Sequence, residues 1–127
     1  MKFVDTDILI DFYRNYQPAV DFLDCYYSMD EMLAISSITQ MELFIGCRNK
    51  RELTETVKFL KQYEVVHFSR SISEKTVKLI RKYNLSHGLL MADAIIAATV
   101  LVSEAQLFSK NASDFVFIKN LNVNRPY

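Results

Sequence analysis

Lys2-Phe3-Val4-Asp5-Thr6-Asp7 runs straight into Ile8-Leu9-Ile10-Asp11-Phe12-Tyr13. A short apolar run stops abruptly at Asp-Thr-Asp, and an amphipathic run takes over. This reads as a buried strand feeding directly into a helix. In open α/β sheets, ligands bind outside the carboxyl ends of the strands, and Asp5 and Asp7 stand at that edge. A second reading is local. Asp is a favoured helix N-cap, because its carboxylate accepts from free amides of the first turn. Where the other carboxylates fall separates the two.

Working outward, the 127 residues read as a single domain, 1–127. Half of them are hydrophobic, enough for a sizeable core, and only two Gly and two Pro exclude a collagenous or loop-rich chain. Fifteen Lys plus Arg balance fifteen Asp plus Glu, so the chain has no general attraction for nucleic acid. A polyanion would need a local basic patch or bound metal ions. Cys25 and Cys47 have no metal-ligand spacing and are too few for a disulfide framework. They read as reduced thiols in a cytoplasmic protein. Asp5, Asp7 and Asp11 interrupt any secretory apolar core. The most apolar segment, Leu89 to Val102, contains Asp93 and is shorter than the roughly 20 residues a membrane span requires.

Hydrophobic spacing predicts a first helix over Ile8 to Tyr16 and a second from Pro18 towards Tyr27. Their aromatics, Tyr13, Tyr16, Phe22, Tyr26 and Tyr27, either pack on the sheet or form a partner surface. Met32 to Ile35 reads as the second strand. Thr39-Gln40-Met41-Glu42 matches a capping box, so Glu42 either caps its own helix or serves a site. Glu52 to Tyr63 is helical, with basic residues that are either solvated or RNA-facing. Val65 to Phe68 reads as the third strand, and Ser71 opens a helix reaching about Tyr83, followed by a turn over Asn84 to Gly88. Leu89 to Val102 is apolar nearly all round, the mark of a buried helix, and a carboxylate there, Asp93, is costly unless paired or metal-bound. Ala105 to Phe108 reads as the fourth strand, Val116 to Ile118 as the fifth, and Asn122 to Tyr127 as a tail.

Strands alternating with helices predict a parallel α/β sheet covered on both faces. Right-handed crossovers bring the strand ends to one edge. Asp5 and Asp7 then follow the first strand, Glu42 follows the second, Asn111 and Asp114 follow the fourth, and Asp93 starts the helix leading into the fourth. Converging carboxylates need a counter-charge, and hard oxygen ligands without Cys or His point to Mg²⁺ or Mn²⁺. Such ions activate water for phosphodiester hydrolysis without a histidine base.

Four pieces in this order carry a family resemblance: Val4-Asp5-Thr6-Asp7; Ser37-Ile38-Thr39-Gln40-Met41-Glu42-Leu43 with Gly46; Asp93-Ala94-Ile95-Ile96-Ala97-Ala98-Thr99; and Phe108-Ser109-Lys110-Asn111 with Asp114-Phe115. The chain resembles the PIN-domain family, and within it toxin ribonucleases of the VapC type. The resemblance implies a three-layer α/β/α sandwich on a mainly parallel, roughly five-stranded sheet. It also implies a Mg²⁺- or Mn²⁺-dependent endoribonuclease, the toxin of a toxin–antitoxin pair, homodimeric and inhibited by a small cognate antitoxin. Carried onto this chain, Asp5, Glu42 and Asp93 match the core acids, and either Asn111 or Asp114 fills the fourth position. Thr6, Asp7, Ser109 and Asn111 support them. The alternative function is a catalytically weak PIN-like module that binds RNA or protein. A nucleotide-binding α/β domain is disfavoured because no Gly-rich phosphate loop is present.

Overall fold

The computed structural model describes residues 1–127. Five short strands, β1 (Lys2–Val4), β2 (Ala34–Ser36), β3 (Glu64–Val66), β4 (Gln106–Phe108) and β5 (Asn122–Asn124), form one sheet in the order β3-β2-β1-β4-β5. All its pairings are parallel. The helices are α1 (Thr6–Tyr13), α2 (Gln17–Ser28), α3 (Ser37–Ile45), α4 (Lys50–Leu60), α5 (Arg70–His87) and α6 (Met91–Val102). No helix is long and apolar enough to cross a membrane.

The three layers follow from strand alternation, which sends successive side chains to opposite faces. Phe3 and Leu107 belong to one core with Leu79, Leu89, Ala97 and Val100 from the α5–α6 side. Val4, Ile35 and Phe108 belong to the other, with Ile8, Leu9, Leu23, Leu43 and Leu60 from α1 to α4. A sheet buried on both faces is the usual setting of all-parallel strands.

The chain lays β1, β2 and β3 out in one direction, then crosses through α5 and α6 to place β4 on the other side of β1. The strand order therefore reverses between β1 and β4. In open parallel sheets, such a reversal leaves a crevice beyond the strand ends. The main chain closes tightly there: the Asp5 amide donates to the Phe108 carbonyl at 2.9 Å.

Several expectations from sequence are revised. The capping box at Thr39 is not used. Helix α3 is capped three residues earlier, by Ser36, whose hydroxyl accepts from the Ile38 amide, and Thr39 is buried. Helix α5 is capped by Ser69 rather than Ser71 and continues through the expected turn to His87. Residues 116–118 are not a strand. Phe115 and Ile118 are buried while Val116 is exposed, the three-residue spacing of a turn rather than the two-residue alternation of a strand. The true β5 lies in the expected tail and pairs with β4 through Leu107 and Val123.

Gly88 ends α5 in the left-handed region, at φ +68°, and a Cβ added there would meet nothing within 4 Å. Its need for glycine is thus backbone conformation alone. Gly88→Ala should lower stability by about 1–2 kcal/mol in urea unfolding, the cost of a Cβ in that region, and Gly88→Asn by less. An unchanged midpoint in Gly88→Ala would contradict this account.

Candidate active site at the sheet edge

Asp5 leaves β1 directly over the crevice and serves two purposes at once. One oxygen accepts from the Thr6 amide at 2.8 Å, capping α1. The other accepts from the Ser109 hydroxyl, at the end of β4, at 2.7 Å. The cap therefore uses one oxygen of Asp5 and leaves the other facing the crevice. Asp7, in the first turn of α1, is wrapped by the turn after β4. It accepts from the Asn111 amide at 3.0 Å, the Ser109 hydroxyl at 3.3 Å and the Lys110 amide at 3.4 Å. Asn111 thus contributes its backbone amide here.

Glu42 comes from the middle of α3, on the other side of Asp5. The Thr6 hydroxyl donates to Glu42 Oε1 at 2.8 Å and lies 2.9 Å from the buried Thr39 hydroxyl. Glu42 is therefore tethered to α1 across the crevice instead of capping its own helix. Asp93 is half-buried in the first turn of α6, and Asp114 is exposed in a 3₁₀ turn, Ala112–Asp114, fastened by buried Phe115. No three of these carboxylates stand close enough to form a complete ligand shell for one cation by themselves.

The carboxylates nevertheless feel one another. Burial, then the charge of Asp7, raise the Asp5 pKa from an ordinary 3.8 to about 7, against the opposing hydrogen bonds of Ser109 and Thr6. Burial also raises Asp7, although amides of Asn111 and Lys110 favour its charged form. Asp93 rises to about 6 through burial and the charges of Asp114, Glu42 and Asp7. The groups named by sequence, Asp5, Asp7, Glu42, Asp93 and Asp114, are thus brought within electrostatic reach of each other. These five form an all-oxygen set of the kind hard divalent ions take, although no three of them are gathered tightly enough to make a cation site by themselves.

Two features escaped the sequence reading. Thr39 looked like a cap and is instead part of the Thr6–Glu42 tether. Asp11 is buried and paired with Lys110 at 3.1 Å, beside the cluster. Its four-residue offset from Asp7 places both on one helix face, a signal present in the sequence. Nothing local pointed to its partner.

Comparison with known proteins follows the same outline. The sequence model of the PIN domain matches residues 2–118. The chain is 30% identical over 122 residues to Ribonuclease VapC19 of Mycobacterium tuberculosis, covering 95% of this chain and 97% of that protein. Among solved structures it is similar to a chain of a toxin–antitoxin complex from Klebsiella pneumoniae, with a TM-score of 0.83 and 31% identity, covering 100% of this chain and 98% of that one. It shares its fold with a chain of VapBC2 from Rickettsia felis, bound in that structure to a DNA fragment, at a TM-score of 0.80 and 24% identity over 98% of this chain and 97% of that one.

The raised carboxylates give a signed prediction. With folded-state values of about 7 for Asp5 and about 6 for Asp93, the metal-free folded chain binds more protons than the unfolded chain between about pH 4 and 7. That contribution to stability is full below about pH 4 and is lost as pH rises through about 6 to 7. Asp93→Asn removes its share, so the metal-free variant should gain on wild type as pH rises across this window. Urea unfolding at several pH values checks it. A difference between the two proteins that stays flat, or falls with pH, would refute it.

Proposed function

The chain belongs to the PIN-domain family, and from that premise we propose that it is a Mg²⁺- or Mn²⁺-dependent endoribonuclease acting as the toxin of a toxin–antitoxin pair. The observation that carries the reading is the meeting of Asp5, Asp7 and Asp93 at the sheet's reversal point, where burial raises all three and neighbouring carboxylates add to the rise of Asp5 and Asp93. Such a set favours a cation over any neutral ligand. Resemblance to a ribonuclease over 95% of the chain supports RNA as the substrate.

In this reading Asp5, Glu42, Asp93 and Asp114 hold the cation, with waters completing its shell. Such an ion, if held by these residues, would supply a lowered pKa to an attacking water and offset charge on the leaving oxygen. The chain's own residues set the geometry. Ser109 fixes the rotamer of Asp5. Thr6 aims Glu42. The amides of Lys110 and Asn111 orient Asp7, which would steer a water. Neither histidine hydrogen-bonds a carboxylate of the cluster; His87 pairs with Ser86 and stacks on Phe117.

An antitoxin is the proposed partner, supported by the similarity to a chain from a toxin–antitoxin complex. The groove we assign to it is a cavity of about 710 Å³ between α1, α3 and α4, lined by Ile10, Tyr13, Arg14, Glu42 and Arg48 among others. Of the cluster only Glu42 lines it, so an occupant would reach that acid directly. Of the five aromatics on the early helices, only Tyr13 and Tyr16 are exposed. Phe22 and Tyr26 pack on Phe108, and Tyr27 hydrogen-bonds Tyr63. A homodimer is proposed on the family premise, with exposed Ile45, Leu85, Leu90 and Met91 as its available apolar contacts.

Three outcomes are expected. Labelled RNA should be cut with Mn²⁺, spared with EDTA, and spared by purified, folded Asp93→Asn; RNA retained but never cut would favour a binding module instead. Mg²⁺ should raise the melting temperature, one site at 100 times its Kd adding about 2.7 kcal/mol, and the rise should shrink in Asp5→Asn. A melting curve indifferent to millimolar Mg²⁺ and Mn²⁺ would count against the site. Tyr13→Ala should weaken capture of the co-expressed product of the adjacent open reading frame, whereas Tyr26→Ala should lower stability; undiminished capture by Tyr13→Ala would remove the groove from the account.

A further inference from the structure

Asp11 lies one helical turn beyond Asp7 and takes no part in holding the proposed cation. Its carboxylate is almost wholly out of water, with 8% of the side chain exposed. Two donors from the far end of the chain enclose it. Lys110 Nζ stands 3.1 Å from Oδ2 and 3.3 Å from Oδ1. The Tyr127 hydroxyl donates to Oδ2 at 2.9 Å. The ring of Tyr16 lies against the same ammonium, 5.8 Å from its centroid, and packs on Tyr127.

Lys110 also belongs to the turn whose amides hold Asp7. Residues four apart on a helix share a face, with Cβ atoms about 5–6 Å apart. Asp7 and Asp11 are therefore alternative partners for one flexible lysine stem. Lysine is suited to such a swing, being a compact point charge on a four-carbon chain. An ammonium resting on Asp7 would relieve the cluster's repulsion from within, and would compete with any divalent cation for the same negative charge.

We propose that Asp11, held in place by Tyr127, is a positioning residue that keeps the Lys110 ammonium out of the acidic cluster and so leaves the cluster free for a divalent ion. This rests on the metal-site reading above. Asp11 is shielded from water while Lys110 keeps 39% of its side chain exposed, so the pairing is screened less than one between two fully exposed charges. The Tyr127 hydroxyl fixes the Asp11 carboxylate by donating to it, and the Tyr16 ring face lies against the ammonium on the Asp11 side. A purely structural alternative is that the same contacts only fasten the segment after β5 to α1. The two accounts differ in what happens when Asp11 and Lys110 are removed together.

The test measures Mn²⁺ binding by calorimetry on the full chain. Asp11→Asn should weaken Mn²⁺ roughly tenfold, and Asp11→Asn combined with Lys110→Met should restore it to within about twofold of wild type, the pattern of a direct charge coupling. Tyr127→Phe should cause a smaller loss. A metal-free crystal structure of Asp11→Asn should show Lys110 Nζ on Asp7. Unchanged Mn²⁺ affinity in Asp11→Asn, or a double variant as weak as the single, would overturn the proposal. If wild type itself bound no Mn²⁺, the metal-site reading would fail, and the metal-free structure would decide the rest: Lys110 on Asp7 upholds its confinement by Asp11, and Lys110 elsewhere refutes it.

Discussion

The parallel pairing of β1 with β4 is the contact on which the molecule turns. Val4 stands opposite Phe108, and the Asp5 amide donates to the Phe108 carbonyl. That register places Asp5 beside Ser109, and it does so at the one point where the strand order reverses. Shifting β4 by one residue would turn Leu107 and Phe108 to the wrong faces, because strand side chains alternate. The two apolar cores and the site are thus locked to the same register. Burial on both faces enforces the geometry of the carboxylates at the strand ends.

This arrangement works against local stability. Carboxylates are drawn out of water and towards each other, although unpaired buried charge is among the most costly features a fold can contain. The protein answers with hydrogen bonds to the charged forms, from Ser109, from the amides of Thr6, Lys110 and Asn111, and from the Thr6 hydroxyl. These hold the acids in place without neutralising them. Departures from local stability rules tend to gather at functional sites, and here they gather at this cluster. The rest of the fold conforms, with polar caps on α1, α3, α4 and α5 and no buried side-chain polar atom left without a partner.

Asp5 shows that one carboxylate can serve a helix cap and still face the crevice. Asp5 caps a helix and faces the site through different oxygens of one carboxylate. Ser109 serves Asp5 and Asp7 together. A capping motif at a strand end therefore does not argue against a catalytic role. The free helix amides that a cap satisfies lie at the same sheet edge where a parallel fold gathers its functional groups.

The sequence by itself determined the α/β class, the strands at Phe3, Ile35 and Leu107, the buried character of α6, and that Asp5 and Asp7 follow the first strand at the sheet edge. These are legible because short-range periodicity encodes which face is buried, and because alternation of strands and helices restricts where strand ends lie. Only the tertiary structure decided that Thr39 tethers rather than caps, that β5 is Asn122–Asn124 and not the apolar run before it, that Phe22, Tyr26 and Tyr27 turn inward, and that Asp11 meets Lys110 and Tyr127. Each of those outcomes depends on contacts between residues distant in the chain. Their energies are set by register and packing, and no local pattern records which distant partner arrives.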